Sequence, residues 1–371
     1  MRPSARRPAV VRRAPGKLFV AGEYAVVDSG NPAVLVAVDR YVTVTVSGAR
    51  TPGVEIRSDL ATHPVHRHWH QGRLTPDGTR GGGDGPVHVL SAIETVAGLL
   101  AERGLPAPDV ELSVTSTLHE HGRKFGLGSS GAVTVASVAA VAAYCGLELS
   151  HTDVYRLSLL ASARIDPKGS GGDLAASTWG GWLAYRAPDR GFVLDLARDR
   201  GVEAALAEPW PGFGVRRLPP PGDLCLEVGW TGRPASTTAL VSDLHRRDWR
   251  GTAAHRRFVA ATVDVVHAMT DALRDGDGPG VLHQIRRARG ELARLDDEVG
   301  LGVFTDELRA LCDAAEGAGG AAKPSGAGGG DCGIALLDAA SPQGVSNVRQ
   351  RWSAAGVLPL PVRVVMEGIQ Q

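Results

Sequence analysis

Two runs of β-branched and apolar residues, 8–20 and 33–47, flank the turn signal DSGNP and predict a pair of strands. The period then changes. VLSAIETVAGLL carries apolar residues at helical spacing and predicts a helix over 88–102, with a strand at 109–116 after it. Between these, GRLTPDGTRGGGDGP (72–86) reads as an exposed loop. From Gly131 to Leu147 no position is charged, and small or apolar residues occupy every side of the helix predicted there. A helix without a polar face is buried. Another helix is expected from an N-cap at Thr152 to Arg164.

The texture shifts at 187–222, a stretch rich in proline, glycine and charge that ends in LPPPGD. The domain boundary is placed there, dividing the chain into 1–215 and 222–371. The second part holds the strand LCLEVGWT, helices over 235–247, 254–274 and 279–297, and a helix from Thr305 to Glu316. A glycine loop then feeds the strand CGIALL, and a last helix and strand (VLPLPVRVVM) follow. With no internal repeat and no regular βαβ alternation, the chain falls in the α+β class.

The 371 residues suffice for one large or two ordinary domains, and the formal net charge is zero. Neutrality removes any global argument for nucleic acid or an acidic membrane surface, so anion recognition has to be local. Cys145, Cys225, Cys312 and Cys332 are scattered without a CxxC pair, which points to a reducing, cytoplasmic compartment and away from disulfides or zinc. The basic stretch MRPSARRPAVVRRAPGK leads into no apolar core of signal-peptide length. The uncharged run at 131–147 falls short of the roughly 20 strongly apolar residues of a membrane span. A protein without membrane segments is expected.

Only four of the 40 basic residues are lysine, and Lys17, Lys124, Lys168 and Lys323 all lie beside glycine turns. Lysine is a compact point charge where arginine is a wide fork. Keeping it at tight turns implies an anionic ligand shared by the four. In KFGLGSSGAV, glycines bring backbone N–H groups of a helix start to bear, which makes a phosphate cradle. Ser129 and Ser130 add hydroxyls for phosphate or magnesium. Gly126, Gly128 and Gly131 also fit GxGxxG, but the preceding strand ends near Ser116, too early for a dinucleotide fingerprint. KPSGAGGGDCGIALL approaches a P-loop, yet Ala322 and Pro324 flank its lysine and break that pattern. It enters a strand and would shape a wall around a ligand. DPKGSGGDLAAS places Asp173 after tight glycines, where a carboxylate could orient or deprotonate a phosphoryl acceptor or simply cap a helix. His63, His66, His68 and His70 in HPVHRHWH lack a carboxylate or thiol to complete a metal shell, and a solvated β-ribbon is the better reading. Trp69 among them is also a candidate wall for an adenine ring.

Taken together, APGKLFVAGEYAVV, KFGLGSSGAV and KPSGAGGGDCGIAL resemble the three hallmarks of the GHMP kinase superfamily. GEYAVVDSGNPAVLVAVDRYVTV, GSGGDLAAS and VGWTGRPASTTALV are similar to the branch whose acceptor is 5-phosphomevalonate. The resemblance spans nearly the whole chain and is weakest over 50–86 and 187–221. It implies a two-domain GHMP kinase fold, with an N-terminal nucleotide-binding α/β domain, a C-terminal ferredoxin-like domain and the active site between them. The implied reaction converts ATP and 5-phosphomevalonate to ADP and 5-diphosphomevalonate with Mg2+, in a monomer or homodimer.

Carried over by motif, Lys124, Gly126, Leu127, Gly128, Ser129, Ser130 and Gly131 would hold the triphosphate, with Ser130 also on the metal. Lys17, Ser130 and Asp173 would be catalytic. Tyr24, Ser170, Thr231, Ser236, Thr237, Ser325, Gly326, Ala327 and Gly328 would complete the acceptor site with Lys17 and Asp173. Gly131 stands where many relatives carry alanine. Gly172 stands where several have a larger apolar residue, which implies a roomier acceptor pocket. Competing readings are a mevalonate kinase or diphosphomevalonate decarboxylase, a nicotinamide-dependent dehydrogenase, and a silent nucleotide sensor.

Overall fold

The computed structural model describes residues 7–76, 86–120, 122–234, 240, 244 and 249–371. The first apolar runs become β1 (Val10–Ala21) and β2 (Pro32–Gly48), paired antiparallel around a single 3-10 turn at Ala25–Val27. β3 (Val54–Ser58), β4 (Val65–His70) and β5 (Arg73–Pro76) follow, then α1 (Val87–Glu102) and β6 (Val110–Ser116). A short hairpin, β7 (His119–Glu120) and β8 (Arg123–Lys124), leads into α2 (Ser129–Tyr144). Next come α3 (His151–Ala163), α4 (Gly172–Trp179), β9 (Trp182–Arg186), α5 (Arg190–Arg200), α6 (Val202–Ala207) and β10 (Gly214–Leu218).

The first sheet runs β10-β9-β2-β6-β3-β4-β5, with β1 also on β2, and its one parallel pair among the described residues is β3 with β6. α2 lies against β1 and β2 with α1, α3 and α4 around it. That setting explains its composition: alanines, valines and Gly131 leave room for neighbours on all sides, and most of its side chains are buried.

The second sheet contains β11 (Leu224–Trp230), β12 (Ala321–Pro324), β13 (Cys332–Asp338) and β14 (Leu358–Leu360), in the order β12-β13-β11-β14. α7 (Ala253–Asp275), α8 (Gly278–Val299) and α9 (Asp306–Glu316) fill the connection from β11 to β12, and α10 (Pro342–Ala354) joins β13 to β14. Every neighbouring pair is antiparallel, the ferredoxin-like arrangement with extra helices in the first crossover.

Several expectations are corrected. Most of residues 187–222, where the sequence places the boundary, fold into the first domain. Asp189 caps α5 through the Phe192 N–H (3.1 Å), and β10 completes the first sheet on β9. Their mixed charge and glycine reflect a partly exposed helical edge. α3 starts two residues earlier than expected: Ser150, not Thr152, is its cap, and the Asp153 carboxylate in turn accepts from the Ser150 N–H at 3.1 Å. The last strand stops at Leu360, and the tail beyond it leaves the second domain. Gln370 exchanges backbone bonds with Arg13, Val365 bonds Ala37, and Ile369 N–H reaches Thr178 O at the end of α4. A division at 222–371 therefore misassigns the tail, because backbone groups of β1 and β2 are satisfied by it. Residues 235–247, expected as a helix, lie almost wholly outside the described residues.

The two domains are joined by a buried ion pair. Lys323 at the end of β12 is fully buried against Glu23, which follows β1, and also donates to Pro324 O (2.7 Å). Breaking one side of such a pair strands a charge. Lys323→Met is expected to lose about 3–5 kcal/mol in urea unfolding, and Lys323→Met combined with Glu23→Leu to recover most of that loss. Equal losses in the single and double variants would show that charge is not what holds this junction.

Candidate active site

β1 carries Lys17 directly under the glycine loop. The Lys17 N–H donates to Leu127 O at 2.8 Å, so strand and loop are stitched together at that residue. The ammonium lies 5.3 Å from the Phe19 ring centre, and the residue is 8% exposed. Among the described residues no carboxylate lies within ion-pair distance of it. A buried, uncompensated ammonium calls for an anion.

The loop is shaped to supply the rest of that anion site. Gly128 caps α2 at φ 78° and offers no side-chain bond to the helix start. The first N–H of α2 with an acceptor among the described residues is that of Ala132, on Gly128 O. The N–H groups of Ser129, Ser130 and Gly131 are thus left for a ligand, at the positive end of a buried helix dipole. Ser130 is exposed and Ser129 half-buried, so both hydroxyls can reach one. These features fit a polyphosphate.

Asp173 enters from the first turn of α4. Its Oδ1 accepts from the Leu174 N–H (2.9 Å), and its Oδ2 faces α2. A Cβ on Gly131 would lie 2.5 Å from that Oδ2, and one on Gly128 would lie 2.9 Å from Lys17 Cε and 3.5 Å from Asp173 Cβ. Glycine at 131 is what lets the carboxylate seat over the helix start. Lys17, the glycine loop and Asp173 thus converge.

The remaining predicted residues divide. Lys124 is exposed on β8 at the rim, and Lys168 is exposed in the turn before Ser170. Lys323 does not share their ligand, since Glu23 neutralises it. Ser325 exchanges bonds with Phe19, its hydroxyl accepting from the N–H (2.9 Å) and donating to the carbonyl (3.0 Å). The Tyr24 hydroxyl donates to Ala327 O, and burial raises its pKa beyond any titration near neutrality. Gly326 and Gly328 sit in the same loop at φ 94° and 73°. The Ser325–Gly328 segment is therefore a wall bolted to β1. Ser170 lies in the turn before α4, its carbonyl accepting from the Tyr185 hydroxyl at 2.6 Å. Thr231 is buried, and its N–H bonds Asp331 O at 2.9 Å. Ser236 and Thr237 lie outside the described residues. Gly172 does not open a roomier pocket: a Cβ there would meet Leu35, Phe19 and the Ser170 hydroxyl, all within 3.5 Å.

Two residues escaped the sequence reading. Asp331, at the end of the third loop, has φ 51° and lies against Gly126, whose added Cβ would be 2.4 Å from its Cγ. Its N–H bonds Arg233 O (2.8 Å), so it joins the glycine loop to the GWTGR turn. The quoted motif GGGDCG contained it, but only contact with Gly126 reveals its place. His88, near the start of α1, interacts electrostatically with both Asp173 and Lys124. Nothing local in VHVLSAIE marks it. By contrast, His66, His68 and His70 share the exposed face of β4, and the Trp69 N–H bonds Pro108 O at 3.0 Å, with its ring against the core. Trp69 therefore packs the sheet edge and is no adenine wall. Among the described residues no three His, Cys, Asp or Glu side chains are placed to hold a metal by themselves.

A two-domain α+β chain whose buried lysine, uncapped helix start and carboxylate meet at the domain junction has the architecture of a small-molecule kinase, and the chain belongs to the GHMP kinases. The GHMP kinases N terminal domain matches residues 88–181, and GHMP kinases C terminal matches 269–358. The chain is 66% identical over 97% of its length to phosphomevalonate kinase of Streptomyces sp. (strain CL190), covering 98% of that protein. Mevalonate kinase of Pyrococcus horikoshii is 27% identical over 97% of both chains. Among solved structures, Streptococcus pneumoniae phosphomevalonate kinase in complex with phosphomevalonate and AMPPNP superposes with a TM-score of 0.83 at 26% identity, with 97% of this chain and 100% of that one covered.

Gly131→Ala is expected to lower kcat by about 10²-fold, since Asp173 must retreat from the helix start, with little change in thermal midpoint. Unaltered turnover would mean that the seat of the carboxylate over α2 is dispensable.

Proposed function

We propose that this chain transfers the γ-phosphoryl group of ATP to the phosphate of (R)-5-phosphomevalonate, yielding ADP and 5-diphosphomevalonate in the mevalonate route to isoprenoids. The observation that carries the reading is its full-length likeness to the Streptomyces phosphomevalonate kinase. The site chemistry supports it. Both reactants are polyanions, and a protein of zero net charge has to gather its cations locally.

In this reading the N–H groups at Ser129–Gly131 bind the triphosphate, with Lys124 at the rim. Lys17 lies between nucleotide and acceptor and neutralises charge that builds on the transferring group. Magnesium, held by nucleotide phosphates and the Ser130 hydroxyl, would supply further charge neutralisation. The acceptor lies along Ser170–Asp173 and Thr231, against the wall from Ser325 to Gly328. An oxygen of its phosphate attacks the γ-phosphorus as the bond to the bridging oxygen of ADP breaks.

The acceptor phosphate has a second pKa of about 6, so its nucleophilic oxygen is already largely ionised at neutral pH. Asp173 then serves to position Lys17 and the acceptor and is not required as a general base. No described helix is long and apolar enough to cross a membrane, and a cytoplasmic monomer or homodimer is the setting we propose.

A coupled ADP-release assay with ATP and magnesium tests the substrate. Turnover is expected with 5-phosphomevalonate and not with mevalonate, and should vanish with excess EDTA. Turnover with mevalonate alone would move the chain to another branch of the family. For the residues, Lys17→Met is expected to cost about 10²–10³ in kcat. Asp173→Asn should cost about tenfold, short of the 10²–10⁴ of a lost general base. If Asp173→Asn is far the worse and its defect follows one ionisation, the aspartate is the base.

A further inference from the structure

His88 is the second residue of α1, which packs directly on α2. Its ring is half-buried. Nδ1 is buried with no hydrogen-bond partner, while Nε2 is left on the open side of the ring. The charged groups that act on it are Asp173, from α4, and Lys124, from β8. Asp173 lies over the start of α2, and Lys124 ends the hairpin that leads into it. α1 thus brings His88 within electrostatic reach of both groups.

The state of the ring follows from its surroundings. Burial lowers the His88 pKa, Lys124 lowers it further and Asp173 opposes them, so the imidazole is neutral at pH 7. A neutral imidazole carries one N–H. An N–H buried without an acceptor is the rarer and costlier arrangement, whereas a bare lone pair is better tolerated. The proton accordingly sits on Nε2 and the lone pair on the hidden Nδ1. The result is a neutral donor in a site already supplied with cations by Lys17 and Lys124. It adds a directed hydrogen bond without adding repulsion between like charges.

We propose that the Nε2–H of His88 donates a hydrogen bond to the transferring end of the nucleotide polyphosphate held over the start of α2, between Lys124 and Asp173. This inference rests on the kinase reading for its ligand but not on which acceptor is used. His88 then acts as a phosphate-binding residue of the reaction, one that no motif in the chain announces.

Imidazole 1H–15N correlation spectra of the wild-type protein read the ring without reference to activity. Expected are a neutral Nε2–H tautomer at pH 7 and a shift of its resonance on addition of AMPPNP with magnesium. An Nδ1–H tautomer, or a resonance indifferent to AMPPNP, would overturn the assignment. Kinetics of two variants follow. His88→Leu should lower kcat by about 10²-fold, as loss of one preorganised donor does, with the KM for the acceptor within about twofold. His88→Gln keeps an N–H near the position of Nε2 and should restore most of the rate. Equal defects in both, tracking a lower thermal midpoint, would reduce His88 to a packing residue. If wild type shows no turnover with 5-phosphomevalonate yet its Nε2–H still responds to AMPPNP, the acceptor assignment fails and the histidine assignment stands.

Discussion

A buried ammonium with no ion-pair partner among the described residues is the constraint around which this molecule is arranged. Lys17 sits in the middle of β1, covered by the glycine loop that its own N–H fastens in place. Leaving such a charge unpaired costs several kcal/mol unless an anion or a field compensates it. The uncapped start of α2 and the carboxylate of Asp173 lie next to it, so the site is built to bring negative phosphate to positive protein, with one negative side chain to set the geometry. A site of this kind is stable only when the elements presenting these groups cannot relax away from one another.

The rest of the fold supplies that rigidity. Lys323 shows the contrast with Lys17 most clearly. Both are buried lysines beside glycine, but Lys323 is neutralised by Glu23, and its loop is bolted to β1 through Ser325 and to the turn after β1 through Tyr24. One lysine holds the domains together and the other is held ready. The tail adds a second strap, crossing from the second domain to pair with β1, β2 and the end of α4. α4 is the helix whose first turn carries Asp173. The Asp173 carboxylate is thus braced at the far end of its helix by residues nearly two hundred positions away in sequence.

Burial on all sides also explains why α2 is made of small residues. A helix packed against a sheet and three other helices has no room for large side chains. Its body is buried while its first turn stays open, so the dipole and the free N–H groups there face an approaching ligand. Gly131 belongs to the same logic: the missing side chain is the space that Asp173 occupies.

Read alone, the sequence determined the elements whose signals are local: the β1 and β2 runs, the buried helix after GLGSSG, the Thr305 cap of α9, and the three glycine loops with the lysines and aspartate beside them. These depend on periodicity, caps and turn chemistry, which act within a few residues. What only the tertiary structure decided depends on partners far apart in the chain. The sequence made four glycine-flanked lysines alike, and the fold separated Lys17 from Lys323 because Glu23 forms an ion pair with one and, among the described residues, no carboxylate does so with the other. It placed α5, α6 and β10 in a stretch whose proline and charge disguised them, and carried the tail back to the first sheet. It brought Asp331 against Gly126 and His88 within electrostatic reach of Asp173, placements for which no local spacing exists to be read. Local chemistry writes the elements and the loops, while long-range packing decides which of their charges are neutralised and which are left for a ligand.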